Sequence, residues 1–181
     1  MKNRQVGPGM VLGGFITLPT LAQSQTVIML LQILLFTPIA SAEPSADFVV
    51  YKNPQCDCCN KWISHVREAG YSVLIPKSSN MRSIKQKFGV NPKYQSCHTA
   101  VHQQSGLVFE GHVPVNHISA LINDHQADDI GLAVPGMPVG SPGMEMGNRK
   151  DPYTVLLLKR SAKPTPFAYE NPTGELSGVR E

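Results

Sequence analysis

The stretch Asp47-Phe48-Val49-Val50-Tyr51-Lys52-Asn53-Pro54-Gln55-Cys56-Asp57-Cys58-Cys59-Asn60-Lys61-Trp62-Ile63-Ser64-His65-Val66-Arg67-Glu68-Ala69-Gly70 decides how the chain is read. A short β-branched and aromatic run ended by Asn53-Pro54 predicts a buried strand. Trp62, Ile63, Val66 and Ala69 then recur at helical spacing, and Gly70 stands where a helix C-terminal cap belongs. The three clustered cysteines therefore fall at the N-terminus of a helix that follows a strand.

Working outward, Tyr71 to Ile75 predicts a second strand, and Ser78-Ser79-Asn80 predicts the cap of a helix carrying Met81, Ile84 and Phe88 and ending at Gly89. Cys97 to His102 and Leu107 to His112 predict a hairpin around Gln103-Gln104-Ser105-Gly106, and Pro114 to Asn123 a third helix. Strand, helix, strand, helix, hairpin, helix is the element order of an α/β, thioredoxin-like domain. The segment 131–147 holds five Gly, three Pro and three Met (Met137, Met144, Met146), a composition that excludes a regular helix or a central strand. It is expected to be a Gly/Pro/Met-rich loop within a C-terminal extension. Tyr153 to Leu158 predicts one more strand, and residues 161–181 read as a polar, flexible tail.

At the other end, Lys2 and Arg4 precede an apolar run from Val27 to Phe36, and the small residues Ala40-Ser41-Ala42 follow it. This is the pattern of a secretory signal over 1–42, and the run is too short to span a bilayer comfortably. An uncleaved anchor and a start codon assigned too early are the alternatives. Cleavage after Ala42 leaves one domain's worth of chain, 43–160 plus the tail, in an oxidising compartment. Losing Lys2 and Arg4 from a formal charge of +3 brings the rest near neutrality, so nothing favours nucleic acid.

All four cysteines, Cys56, Cys58, Cys59 and Cys97, lie in the part that remains. Cys56 and Cys59 have the C-x-x-C spacing of dithiol exchange, in which unpaired helix N–H groups stabilise a thiolate, so these two are the candidate redox-catalytic pair. Cys58 complicates that reading, because it adds a competing disulfide partner and a third soft ligand. Thiolates select Cu(I), zinc or iron–sulfur centres. Structural zinc draws two ligands from each of two knuckles, whereas the spacing here is three plus one, which favours copper with sulfurs shared between several ions.

Other ligand candidates follow the same logic. His98, beside Cys97, and His112, at the end of the neighbouring strand, are placed to face the cysteines; a small buried Cys97 with its neighbour on the surface, and a hydrogen-bonded structural His112, are the alternatives. Met137, Met144 and Met146 carry soft thioethers on a loop with little core to fill, and that loop is positioned to cover the cysteines as a lid. His98 and His102, four apart in a strand, are about 13 Å apart and cannot share an ion. His65 is expected to be solvated, His117 and His125 have no assigned role, and Asp57 is a hard ligand better suited to capping the helix.

The chain is similar to the CopG-type copper-resistance proteins of Gram-negative bacteria. The resemblance is carried by Tyr51-Lys52-Asn53-Pro54-Gln55-Cys56-Asp57-Cys58-Cys59, Cys97-His98-Thr99, Glu110-Gly111-His112-Val113-Pro114, Gly131-Leu132-Ala133-Val134-Pro135-Gly136-Met137-Pro138 and Ser141-Pro142-Gly143-Met144-Glu145. It implies a periplasmic thioredoxin-like domain whose C-terminal extension helps bind copper. It also implies C-x-C-C cysteines bridging a copper cluster, with a role in interconverting Cu(I) and Cu(II). The expected partners are copper ions and periplasmic copper-efflux components, the expected state a monomer free of the membrane once the signal is removed. A thiol–disulfide oxidoreductase, a zinc module and a copper chaperone without redox activity are the rival readings.

Overall fold

The computed structural model describes residues 46–77 and 80–171, so the expected leader over 1–42 lies outside the described residues. The described chain is mixed α/β. Seven strands, β1 (Phe48–Lys52), β2 (Val73–Leu74), β3 (His98–His102), β4 (Val108–Glu110), β5 (Asp129–Ala133), β6 (Tyr153–Lys159) and β7 (Thr165–Glu170), form one sheet in the order β2-β1-β3-β4-β5-β6-β7. Three helices, α1 (Asp57–Glu68), α2 (Met81–Lys87) and α3 (Val115–Asn123), connect them. β1 and β2 are parallel across α1, β4 and β5 are parallel across α3, and the other neighbours are antiparallel.

Strand alternation sorts β1 onto two covered faces. Phe48 and Val50 enter a core with Trp62, Ile63 and Val66 of α1 and Ile118 and Leu121 of α3, joined by Phe109, Leu132 and Leu157 from the sheet. On the opposite face Tyr51 meets Phe88, at the end of α2, with ring centroids 5.8 Å apart. All five residues of β3 are buried, as expected of a strand covered on both sides.

The local signals worked as their chemistry requires. Asn80 caps α2 by accepting from the Ser83 N–H, and Gly70 and Gly89 follow α1 and α2 with positive φ. The cap of α1 is different from the one expected. Cys56 holds the cap position and its sulfur accepts the Cys59 N–H at 3.3 Å, while Asp57 is the first helical residue.

Two expectations are corrected. Residues 131–133 are not loop: they belong to β5, an interior strand of the sheet. Gly131 makes this possible, since with φ of 152° it sits where a Cβ would lie 1.7 Å from the Val108 carbonyl oxygen. Nor is the segment after residue 161 a flexible tail as far as it is described, because Thr165–Glu170 pairs antiparallel with β6. Its Pro166 is tolerated because β7 is the edge strand and the register shifts between Val155 and Leu156. The edge is tied to α3 by a 2.6 Å hydrogen bond between His117 Nε2 and Glu170 Oε1.

Candidate metal centre

The loop between β1 and α1 is fixed before any cysteine is considered. The Lys52 ammonium, almost fully buried, donates to the carbonyl oxygens of Asn53 (3.1 Å) and Pro54 (3.2 Å). The Asn53 side chain accepts the Gln55 N–H, and its backbone carbonyl accepts the Cys56 N–H, each at 3.0 Å. These contacts deliver Cys56, Cys58 and Cys59 to the first turn of α1. Cys59 is buried and the other two are half-buried.

Cys97 enters from the residue before β3, and the four sulfurs of Cys56, Cys58, Cys59 and Cys97 all lie within 4.8 Å of one another. A second group shares a corner with the first, for one ligand atom each of Cys97, His98 and His112 also lies within that distance. In the structure Cys56 and Cys59 form a disulfide, and Cys58 and Cys97 are free. Cys58 Sγ stands 3.4 Å from Cys56 Sγ. Two of the four sulfurs are therefore available as thiolate ligands only after two-electron reduction.

Both histidines turn a ring nitrogen toward Cys97. His112 Nδ1–H donates to the Pro142 carbonyl oxygen at 2.8 Å, which leaves Nε2 with its lone pair facing Cys97 Sγ at 3.0 Å. His98 is fully buried, with its ring centroid 4.4 Å from that of Trp62. Its Nδ1 lies 3.4 Å from Cys97 Sγ, and its Nε2 is the one buried side-chain polar atom without a hydrogen-bond partner among the described residues. Burial, then the neighbouring His112, Lys85 and Lys52, holds the His98 pKa well below the usual imidazole range, and burial also lowers that of His112. Burial, reinforced by Cys58, pushes the Cys97 thiol up to about 11, so a metal ion binding there displaces a proton.

Behind Cys97, on the face covered by α2, lies a buried ion pair. Glu110, with no exposed surface, pairs with Lys85 of α2, accepts the Ser96 N–H at 2.6 Å and accepts the Thr99 hydroxyl at 2.7 Å. Burial raises the Glu110 pKa, and Lys85 and the two donors pull it back only in part. Trp62 fixes the other side, with its indole N–H donating to the Val113 carbonyl at 2.8 Å.

The glycine- and methionine-rich loop reaches the centre through Pro142 and Gly143. Gly143, with φ of 86°, sits so close to α1 that a Cβ would lie 2.6 Å from the Cys58 carbonyl oxygen and 2.7 Å from the Trp62 nitrogen. Met144 beside it is half-buried, whereas Met137 and Met146 are 53% and 64% exposed. The loop is also fastened to α1 by Glu145, which accepts the Gly143 N–H at 2.8 Å and lies 2.8 Å from His65 Nε2. His65 thus has a partner that helical periodicity could not reveal, 80 residues away. Sequence patterns miss the buried Lys52 and Lys85 as well, whereas Glu110 carries a signal, a charged residue inside the apolar strand pattern Val108-Phe109-Glu110. Asp57 is exposed and belongs to neither ligand group.

The arrangement offers soft sulfur and neutral imidazole on shared vertices, a donor set for thiophilic ions. Residues 94–144, which span Cys97, His98, His112 and most of the glycine- and methionine-rich loop, match a family model described as "Protein of unknown function, DUF411". No curated protein matches the chain. Two solved structures of a copper resistance protein, copG, are similar to it. The one designated Form 2 is 41% identical, with a TM-score of 0.64, covering 68% of this chain and 97% of that one. Form 1 is 42% identical, with a TM-score of 0.63, covering 68% and 95%. At that identity over nearly the full length of those structures, the chain belongs to the CopG family of copper resistance proteins.

Proposed function

We propose that the protein is a periplasmic copper-binding protein of copper resistance, which holds several copper ions on the cysteine cluster and interconverts Cu(I) and Cu(II) before export. The observation that carries this reading is the convergence of four sulfurs with two neutral imidazoles on one shared vertex, Cys97. Sulfur favours Cu(I), imidazole accommodates Cu(II), and a site holding both lets one electron pass with little rearrangement. Met144 is the thioether best sited to assist, and Met137 and Met146 are suited to capture ions at the surface.

The domain is read as thioredoxin-like. That reading is supported by the order β1-α1-β2-α2-β3-β4-α3, the parallel β1/β2 pair and the cysteines at the start of α1, with β5 to β7 as the C-terminal extension. Periplasmic location rests on the expected signal and on the cysteine chemistry. No helix among the described residues is long and apolar enough to cross a membrane. The protein is read as a monomer that passes copper to efflux components.

A second reading, thiol–disulfide exchange by Cys56 and Cys59, is favoured by their disulfide. Titrating the reduced protein with Cu(I) against a competing chelator separates the two. The copper reading predicts more than one tightly held ion per chain and fewer in Cys58→Ser. Weak binding of a single ion, together with reduction of insulin by the metal-free protein, supports exchange instead.

A further inference from the structure

The two ligand groups of the metal centre respond differently to oxidation. The four-sulfur group needs both Cys56 and Cys59 as thiolates, and in the structure those two are joined in a disulfide. The group Cys97, His98 and His112 contains neither, so it survives oxidation unaltered. Cys97 belongs to both. The centre therefore has a reducible half at the start of α1 and a permanent half on the β3–β4 hairpin, joined at one sulfur.

We propose that the Cys56/Cys59 dithiol is the internal electron source for copper reduction, delivering two electrons to two Cu(II) ions and closing to the disulfide, while Cys97, His98 and His112 retain copper through the cycle. The inference rests on the copper reading above and adds the donor and its stoichiometry. Each thiolate sulfur gives one electron to one Cu(II), a single Sγ–Sγ bond forms, and the products are two Cu(I) ions. Any protons still on the thiols leave to solvent. The cycle is reset by an external thiol donor, which returns two electrons and two protons and is itself oxidised to a disulfide.

Geometry selects this pair over the other two cysteines. Cys56 and Cys59 bracket one helical turn with Cα atoms 5.3 Å apart, and the Cys59 N–H already points at Cys56 Sγ. Cys97 is engaged by the imidazoles of His98 and His112 at 3.4 and 3.0 Å. Cys58, half-buried and 3.4 Å from Cys56 Sγ, is placed to keep hold of copper as its two neighbours withdraw. Closing the disulfide removes two ligands at the moment Cu(I) is made, which turns reduction into partial release.

The test is an anaerobic addition of copper(II) sulfate to the fully reduced protein, one Cu(II) per thiol of the pair. The Cu(II) electron paramagnetic resonance signal is followed, free thiols are counted after acid quenching, and the disulfide is mapped by mass spectrometry. The expected result is loss of two spins and two thiols per chain, with Cys56 linked to Cys59. Cys56→Ser removes one of the two electron donors and one of the four sulfurs, so it is expected to reduce Cu(II) no faster than buffer and to hold fewer Cu(I) ions added directly than the wild type does. Reduction without thiol loss, or a disulfide through Cys58 or Cys97, overturns the inference and leaves the copper reading standing. Failure of the reduced wild-type protein to bind Cu(I) added directly overturns the copper reading itself.

Discussion

Glu110→Gln tests the support behind the centre without touching any proposed ligand. The substitution preserves shape and removes the charge, so Lys85, whose side chain is 6% exposed, is left as a buried ammonium with no counter-ion. Breaking one partner of a buried pair costs about 3–5 kcal/mol, well above the ~1 kcal/mol of an ordinary hydrogen bond. With a urea slope of about 2 kcal/mol/M for a domain of this size, the midpoint of the reduced, metal-free protein should fall by roughly 1.5–2.5 M. Adding Lys85→Met removes the stranded charge, and the double variant should regain most of the loss. Because Glu110 also accepts the Ser96 N–H, one residue before Cys97, the single variant should bind copper more weakly even where it remains folded. A midpoint shift below ~0.5 M in Glu110→Gln would refute the reasoning, as would a double variant no more stable than the single one.

Three further outcomes are expected. His98 and His112 have lowered pKa values in the fold, so the unfolded chain takes up protons that the folded one refuses as pH falls below the ordinary 6.5. Stability of the metal-free protein should be fully present above pH 6.5 and should fall below it, by up to about 1.4 kcal/mol per pH unit for each histidine; denaturation at pH 7.5 and about 5.5 checks this, and His98→Leu should flatten the slope. Gly143→Ala forces a Cβ against the Cys58 carbonyl at a strained φ, so it should cost about 1–3 kcal/mol and speed copper loss to a chelator, measured by stopped flow. Trp62→Phe strands the buried Val113 carbonyl and should lower stability by about 1–3 kcal/mol, measured by urea unfolding, with unchanged copper stoichiometry.

Much of this centre is readable in the chain because its strongest features are local. Val49, Val50 and Tyr51 ahead of Asn53-Pro54 mark β1, helical spacing from Trp62 to Val66 marks α1, and the cysteines fall between them. The four cysteines, His98 and His112 fall into two groups that share Cys97, the side-chain sulfur and nitrogen atoms of each group lying within 4.8 Å of one another. What sequence patterns could not supply is set by tertiary context. Gly131 reads as a strand breaker until β4 is seen passing against it, and Pro166 reads as tail until β7 is found at the sheet edge. Partners far apart in sequence, such as Glu145 for His65 and Lys85 for Glu110, leave no periodic trace.

The most direct measurement is X-ray absorption at the copper edge on the reduced protein loaded with Cu(I), for wild type and Cys97→Ser. The expected result is a first shell dominated by sulfur, with copper–copper scattering from shared thiolates, and loss of sulfur scattering in the variant. A first shell of nitrogen and oxygen, or a spectrum indifferent to Cys97→Ser, would contradict it.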